Sequence, residues 1–364
     1  MRRDGNQAGP RPLVSGRHHL ARTLPAFVLI AVAALVTVFT HPSPGNPPTL
    51  ARNPSTLARN PSTLAGNPST FARNRSIRSD NPDLRSGNPL AAGRPGVVIE
   101  VHTVTVEGLR RSYRSVVSVQ TTARVPLVIV LHGRGQSGSV AASQTGFLGL
   151  AQRRQAVLVF PDGEQRSWNA GYGCCGFAGS RRVPDIPFVA AIVADAVHRW
   201  PVDVERVYLV GYSNGGKLAY SAVCAHPKLF AAVATYGAVP LSPCPPGTPP
   251  VPFLLAAGTA DRVLPFHGRP GGHPALPAVP QAVNWLRTQD DCPTRAQTDR
   301  DDSAVLQRWA DCAGGAEVES VVYSGWSHAW PIANARSGSP AVATVMWAFL
   351  SRHDTPSPVP HRAA

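Results

Sequence analysis

The sequence predicts a doubly wound α/β domain, a mostly parallel sheet with helices on both faces, over residues 96–353 of 364. Three observations point there. Short, continuously apolar runs alternate with helix-like runs over roughly 250 residues, the pattern of βα units that feed a buried parallel sheet. A glycine-flanked serine lies where one apolar run passes into a helix-like one. Near Gly96 the composition changes abruptly, from Pro- and Arg-rich sequence to that alternation.

Along the chain, "VVIEVHTVTV" and "SYRSVVSV" have the period-two character of strands with one covered face. "PLVIVLHG" and "AVLVFPDG" read as strands buried on both faces, and "PFVAAIVADAVHRW" reads as a helix. "RVYLVGYS", "FAAVATYGA", "PFLLAAGTAD" and "VESVVYSG" supply further strands. Helices are expected near Lys217–Ala225, Val279–Arg287 and Ala341–Arg352. A domain of this length can bury a substantial core.

The first 95 residues read differently. They carry 12 Arg against three Asp, which is nine of the fourteen net positive charges and leaves the remainder only mildly basic. Nucleic-acid binding would need that charge on a folded face with aromatics interleaved, so this class is set aside. Residues 1–40 hold an Arg-rich start and an uncharged apolar run, Ala26–Phe39, the order of a signal peptide or retained signal-anchor. Membrane contact is expected only through that segment, if it stays uncleaved. Residues 41–95 repeat "TLARNPS"-like heptapeptides whose Asn-Pro steps forbid a continuous helix, so a disordered linker is expected. Asn74-Arg75-Ser76 is a glycosylation sequon, and 354–364 reads as a disordered tail. The folded part is thus expected outside the cytoplasm, secreted or anchored.

All six cysteines lie at or beyond Cys174, which suits an oxidising compartment and an even disulfide set. Six allow 15 connectivities. Cys292–Cys312, which brackets a hairpin-like insert, is the preferred bridge; adjacent Cys174 and Cys175 are expected to reach different partners, Cys224 or Cys244 among them. With no C-x-x-C and no nearby His spacing, neither a metal site nor a cofactor is expected.

"GYSNG", Gly211–Gly215, fits G-x-S-x-G, in which the serine occupies a strained strand-to-helix turn. A side chain at either glycine would collide with the neighbouring strand or helix, and the helix start aims N–H groups and a positive dipole end at the serine. Ser213 is the candidate nucleophile. It needs a base, and the base needs an orienting acid. In the order Ser, acid, His, the candidates are Asp261 in "GTADRV" and His328 in "GWSHAWP", both at strand ends. His226, His267 and His273 are the competing histidines. The carboxylates Asp290, Asp291, Asp299, Asp301, Asp302 and Asp311 fall in a polar insert that reads as solvated. Backbone N–H groups of Asn214 and of Arg134, in "LHGRGQSG", are the candidate oxyanion donors; that loop lacks the spacing of a P-loop.

The series "PLVIVLHGRGQSG", "VFPDG", "SWNAGYGCCG", "VDVERVYLVGYSNGGKLAY", "CAHPKLFAAVATYGA", "GTADRVLPFHG" and "GWSHAWP" resembles the polyhydroxybutyrate depolymerase and feruloyl esterase-like group of secreted α/β-hydrolases, across most of residues 126–350. The resemblance implies a serine esterase with Ser213, Asp261 and His328 as its triad. The group tends to place a glycine-rich turn before the histidine, where this chain has Trp326-Ser327. It also tends to place two acidic residues before the helix near "VPDIPF", where this chain has only Asp185. Both departures touch the pocket walls rather than the triad. The expected substrate is a carboxylic ester: a polyester, a feruloyl or acetyl ester of a polysaccharide, or a small ester. Trp168, Tyr172, Tyr212, Trp326 and Trp330 are the candidate substrate-binding aromatics. An acyltransferase on the same triad, or a catalytically silent wall- or polysaccharide-binding protein, are the alternatives.

Overall fold

The structure, a computed structural model, describes residues 96–332 and 341–355. The expected signal segment, repeat linker and sequon, and all but the first two residues of the expected tail, lie outside the described residues.

Among the described residues ten strands form one sheet in the order β1-β2-β4-β3-β5-β6-β7-β10-β9-β8. The first hairpin pairs β1 (Val97–Val106) with β2 (Leu109–Ser118). Then follow β3 (Val125–Leu131), the short helices α1 (Gly138–Gln144) and α2 (Leu148–Gln152), β4 (Val157–Pro161), α3 (Gly176–Arg181) and α4 (Asp185–Arg199). The strand β5 (Val202–Tyr212) leads into α5 (Asn214–Ala225), followed by β6 (Ala232–Tyr236), β7 (Phe253–Gly258) and α6 (Val279–Gln289). A second hairpin of β8 (Gln297–Arg300) and β9 (Ala304–Trp309) precedes β10 (Val318–Tyr323) and α7 (Val342–Leu350). The run β4-β3-β5-β6-β7-β10 is parallel, flanked on each side by antiparallel pairs.

Burial on both faces explains why the central strands read as unbroken apolar runs. In β3, Leu127, Ile129 and Leu131 enter one core with Ile192 of α4, Leu218 of α5 and Val283 of α6. Val128 and Val130 point the other way, into a second core with Ala141 of α1, Leu150 of α2 and Met346 of α7. Each such buried side chain contributes about 1.5–3 kcal/mol relative to exposure. The doubly wound α/β reading therefore holds. The short helices α1, α2 and α3 escape sequence reading because five to seven residues carry too little periodicity.

Two expectations are corrected. Cys174 and Cys175, expected to reach different partners, bond each other. Cys224 pairs with Cys244, tying the end of α5 to the segment after β6, and Cys292–Cys312 brackets the β8–β9 hairpin as preferred. Asp290, expected in solvent, is 2 % exposed. It closes the end of α6 against Val251, whose N–H it accepts, and burial pushes its carboxyl up to about 7.

Candidate active site

Ser213 occupies the single residue between β5 and α5, at φ 53° and ψ −116°, a conformation that side chains rarely adopt and that persists only where the surroundings enforce it. Its N–H donates to the carbonyl of Tyr236 on β6 at 2.9 Å, and its carbonyl accepts the Lys217 N–H at 3.1 Å, closing the first turn of α5. The flanking glycines are required by contact. A Cβ on Gly215 would lie 2.5 Å from the Leu131 carbonyl oxygen, and one on Gly211 would overlap the backbone of Gly216.

His328, in the loop after β10, meets the serine from the side. Its Nε2 lies 2.9 Å from Ser213 Oγ, and its Nδ1–H donates to Asp261 Oδ2 at 2.6 Å. Asp261 follows β7 and is buried; its other oxygen accepts the N–H groups of Val263 and Leu264 at 2.8 and 2.7 Å. The carboxylate is thus locked in a turn with one oxygen aimed at the imidazole. The histidine loop is pinned from below by two tyrosine hydroxyls: Tyr212 donates to the His328 carbonyl at 2.7 Å and Tyr236 to the Ser327 carbonyl at 2.6 Å. These two tyrosines end adjacent strands in matching register, a signal present in the sequence but not used. Gly237, at φ +60°, is also required: a Cβ there would come within 3.0 Å of the His328 ring.

The backbone N–H groups of Arg134 and Asn214 have no acceptor among the described residues. The Asn214 side chain does something the sequence did not suggest. Its Oδ1 accepts the Trp168 N–H at 2.8 Å and its Nδ2 donates to the Trp168 carbonyl at 3.0 Å, clamping the β4–α3 loop to the serine corner. His132, beside Arg134, is a second unforeseen support. Its Nδ1–H donates to the Gly133 carbonyl at 2.8 Å and its Nε2 accepts the Gly163 N–H at 2.9 Å, while burial pushes its imidazole below the ordinary range. Asp185 accepts from Arg111 at 2.8 Å and from the Asn169 N–H at 2.7 Å, and burial raises its carboxyl despite that partner.

The candidate aromatics separate into different roles. Trp168 is 0 % exposed and spends its indole N–H on the His132 carbonyl at 2.8 Å, so it has no surface to offer a substrate. Its place in a predicted loop near the site makes it a candidate for binding or for capping the core; the Asn214 clamp draws it into the core. The Tyr212 hydroxyl is committed to His328, and its ring lies 5.3 Å from the imidazole, so its visible work is support. Trp326 and Trp330 flank His328 and are partly exposed, with Trp330 edge-on to Tyr212 and Tyr236 at 5.7 and 5.9 Å. Tyr172 is 70 % exposed and donates to Ser242 Oγ at 2.7 Å. His226, His267 and His273 are exposed, and none bonds Ser213. Among the described residues no group of three or more His, Cys, Asp and Glu side chains is placed to hold a metal ion.

Residues 113–243, which contain the serine corner and the Arg134 loop, match the family model described as Esterase PHB depolymerase. NocK, a protein named as an esterase from Nocardia uniformis subsp. tsuyamanensis, is 28% identical over 63% of this chain and 73% of its own length. The bifunctional acetylxylan esterase/xylanase XynS20E of Neocallimastix patriciarum is 26% identical over 64% of this chain, which spans 32% of that protein. Feruloyl esterase C of Emericella nidulans is 30% identical over 39% of this chain and 51% of its own length. The chain thus spans about half or less of the last two. Among solved structures, the acetyl xylan esterase of Aspergillus awamori superposes with a TM-score of 0.52 at 12% identity, over 69% of this chain and 99% of that one, which speaks for the α/β-hydrolase fold. The serine corner and the Arg134 loop thus lie inside the span that is similar to the Esterase PHB depolymerase family, on the fold of the α/β-hydrolases, and the relatives named as esterases support a carboxylic ester hydrolase.

Proposed function

We propose that the protein is an extracytoplasmic serine esterase that hydrolyses carboxylic esters through an acyl-enzyme. The observation that carries this reading is the continuous hydrogen-bonded line from Ser213 Oγ through His328 to Asp261, at 2.9 and 2.6 Å. His328 Nε2 takes the Ser213 proton as Oγ attacks the ester carbonyl, and Asp261 holds the imidazole tautomer and stabilises the imidazolium. The oxyanion is met by the free N–H groups of Asn214 and Arg134 at the positive end of α5. Collapse breaks the ester C–O bond, and His328 returns the proton to the departing alcohol. Water then attacks the acyl-enzyme, giving its proton to His328; the second collapse releases the carboxylic acid and restores Ser213.

The relatives named as acetylxylan and feruloyl esterases support ester groups carried on polysaccharide as substrates, with Trp326 and Trp330 as walls. Three disulfides among the described residues support an oxidising compartment, and so a folded unit held outside the cytoplasm behind the Arg-led apolar segment and the repeat linker. A fluorophosphonate probe tests the chemistry directly. It is expected to label Ser213, read by peptide mass, and to leave Ser213→Ala unlabelled and inactive on p-nitrophenyl acetate; an unlabelled wild-type protein would overturn the reading.

A further inference from the structure

The esterase chemistry leaves one charged side chain without a task. Lys217 is one turn into α5, its N–H bonded to the Ser213 carbonyl at 3.1 Å. Residues four apart share a helix face, and side chains lean toward the helix N-terminus, so Lys217 leans toward the serine corner about 6 Å along the axis. Ser221, one turn further on the same face, donates to the Ala170 carbonyl at 2.9 Å, which lays the β4–α3 loop over this side of the helix. Lys217 is partly buried under that cover.

A lysine in such a place is ordinarily paired with a carboxylate. This one forms no ion pair among the described residues. The one carboxylate whose field reaches it, Asp261, has both oxygens in use, on His328 and on the Val263 and Leu264 N–H groups. The other charges that reach it are Arg134, from the loop after β3, and Arg269, from the loop after β7, both positive. Burial and these two guanidiniums push its ammonium down to about 8. An unpaired, half-buried ammonium is unfavourable in the free protein and becomes favourable once an anion meets it.

We propose that Lys217 is an anion subsite beside Ser213 that selects esters bearing a second carboxylate a few bonds from the scissile carbonyl. The inference rests on the serine esterase reading and names a substrate class for it. That carboxylate has two sources, the acyl chain of a dicarboxylic acid monoester or the alcohol side of a hydroxy-acid ester. Paired substrates tell them apart. The acyl arm compares mono-p-nitrophenyl glutarate with its methyl-capped neutral counterpart. The alcohol arm compares the butyryl ester of 3-hydroxybutyric acid with the same compound as its methyl ester.

The full-length enzyme is expected to favour the charged member of one pair by about tenfold or more in kcat/KM, the scale of a charge-assisted hydrogen bond. Lys217→Met should bring that ratio close to one, and Lys217→Arg should restore part of it. In the wild type the preference should fade as pH rises through about 8, because the ammonium loses its proton there while Arg134, Arg269 and Asp261 are the other charges around it. Equal turnover of charged and neutral members by the wild type, in both pairs, would overturn the subsite without any variant needing to fold. So would a Lys217→Met enzyme slowed equally on both members, which would make the lysine a support for the Asp261–His328 pair. Absence of turnover on every ester, together with an unlabelled Ser213, would instead remove the esterase reading beneath it.

Discussion

Ser213 Oγ and His328 Nε2 lie 2.9 Å apart, yet the first is held mainly by its own pentapeptide, with one bond to Tyr236 on β6, and the second by residues 67 to 116 positions away. The serine corner needs two glycines, one strained residue and the first turn of a helix, all within Gly211–Lys217. The local bonds of the histidine loop, from the Trp326 indole N–H to the Ala329 carbonyl at 2.8 Å and from the Ala329 N–H to Ser327 Oγ at 3.3 Å, do not touch the His328 ring. That ring is aimed by Asp261 and the loop carbonyls are tethered by the hydroxyls of Tyr212 and Tyr236, groups brought together only by the sheet. A nucleophile can be built into a motif, whereas its base here depends on tertiary assembly.

The histidine side should accordingly break in graded steps while the serine corner stays intact. Asp261→Asn has the largest expected effect. The amide oxygen can still accept from Val263 and Leu264, but the amide nitrogen then faces His328 Nδ1 and favours the wrong tautomer. The kcat should fall by about 10⁴ with little change in Tm. Tyr212→Phe and Tyr236→Phe come next. Each removes one tether, about 1 kcal/mol of hydrogen bonding, and is expected to lower kcat by roughly tenfold while fluorophosphonate still labels Ser213. Because the two rings lie 6.3 Å apart, the double variant should depart from additivity in a double-mutant cycle. Unaltered kcat in both single variants would show that the loop holds itself, and the contrast between the two sides would collapse.

The smallest effect on rate is expected from Asp290→Asn, remote from both devices. The Asp290 carboxyl sits at about 7 when folded, against about 3.9 in an unfolded chain, so between those values the folded state carries a proton that the unfolded state has lost. Stability contributed by this group therefore declines as pH rises from about 4 to 7 and stays low above. The asparagine keeps an acceptor for Val251 and removes the titration. Its Tm should exceed that of the wild type at pH 8 and match it near pH 4, with kcat unchanged; an equal shift at both pH values would reject the assignment.

Legibility followed the same division. The central strands were readable because burial on both faces leaves unbroken runs of Val, Leu, Ile and Ala, and the serine corner because glycine spacing records a backbone contact; the exposed β8 and half-buried β9 leave no such run. The candidate acid and base could be named from chain order and strand ends. What decides whether a loop residue supports or faces a substrate was not readable. Trp168 enters the core only because Asn214, 46 residues on, clamps its backbone, and Asp290 is buried only because α6 ends against Val251.

The place of β10 in the sheet has a consequence for the order in which this molecule becomes an enzyme. It lies between β7 and β9, parallel to the first and antiparallel to the second, so the β8–β9 hairpin, made earlier, joins the sheet only through a strand made later. His328 follows that strand, 115 residues after Ser213. A chain emerging from its N-terminus can therefore complete the β1–β7 platform and its serine corner while still lacking both the base and the flank that carries it. During biosynthesis the nucleophile corner can precede its base, and hydrolytic competence would begin only when nearly the whole domain has been delivered.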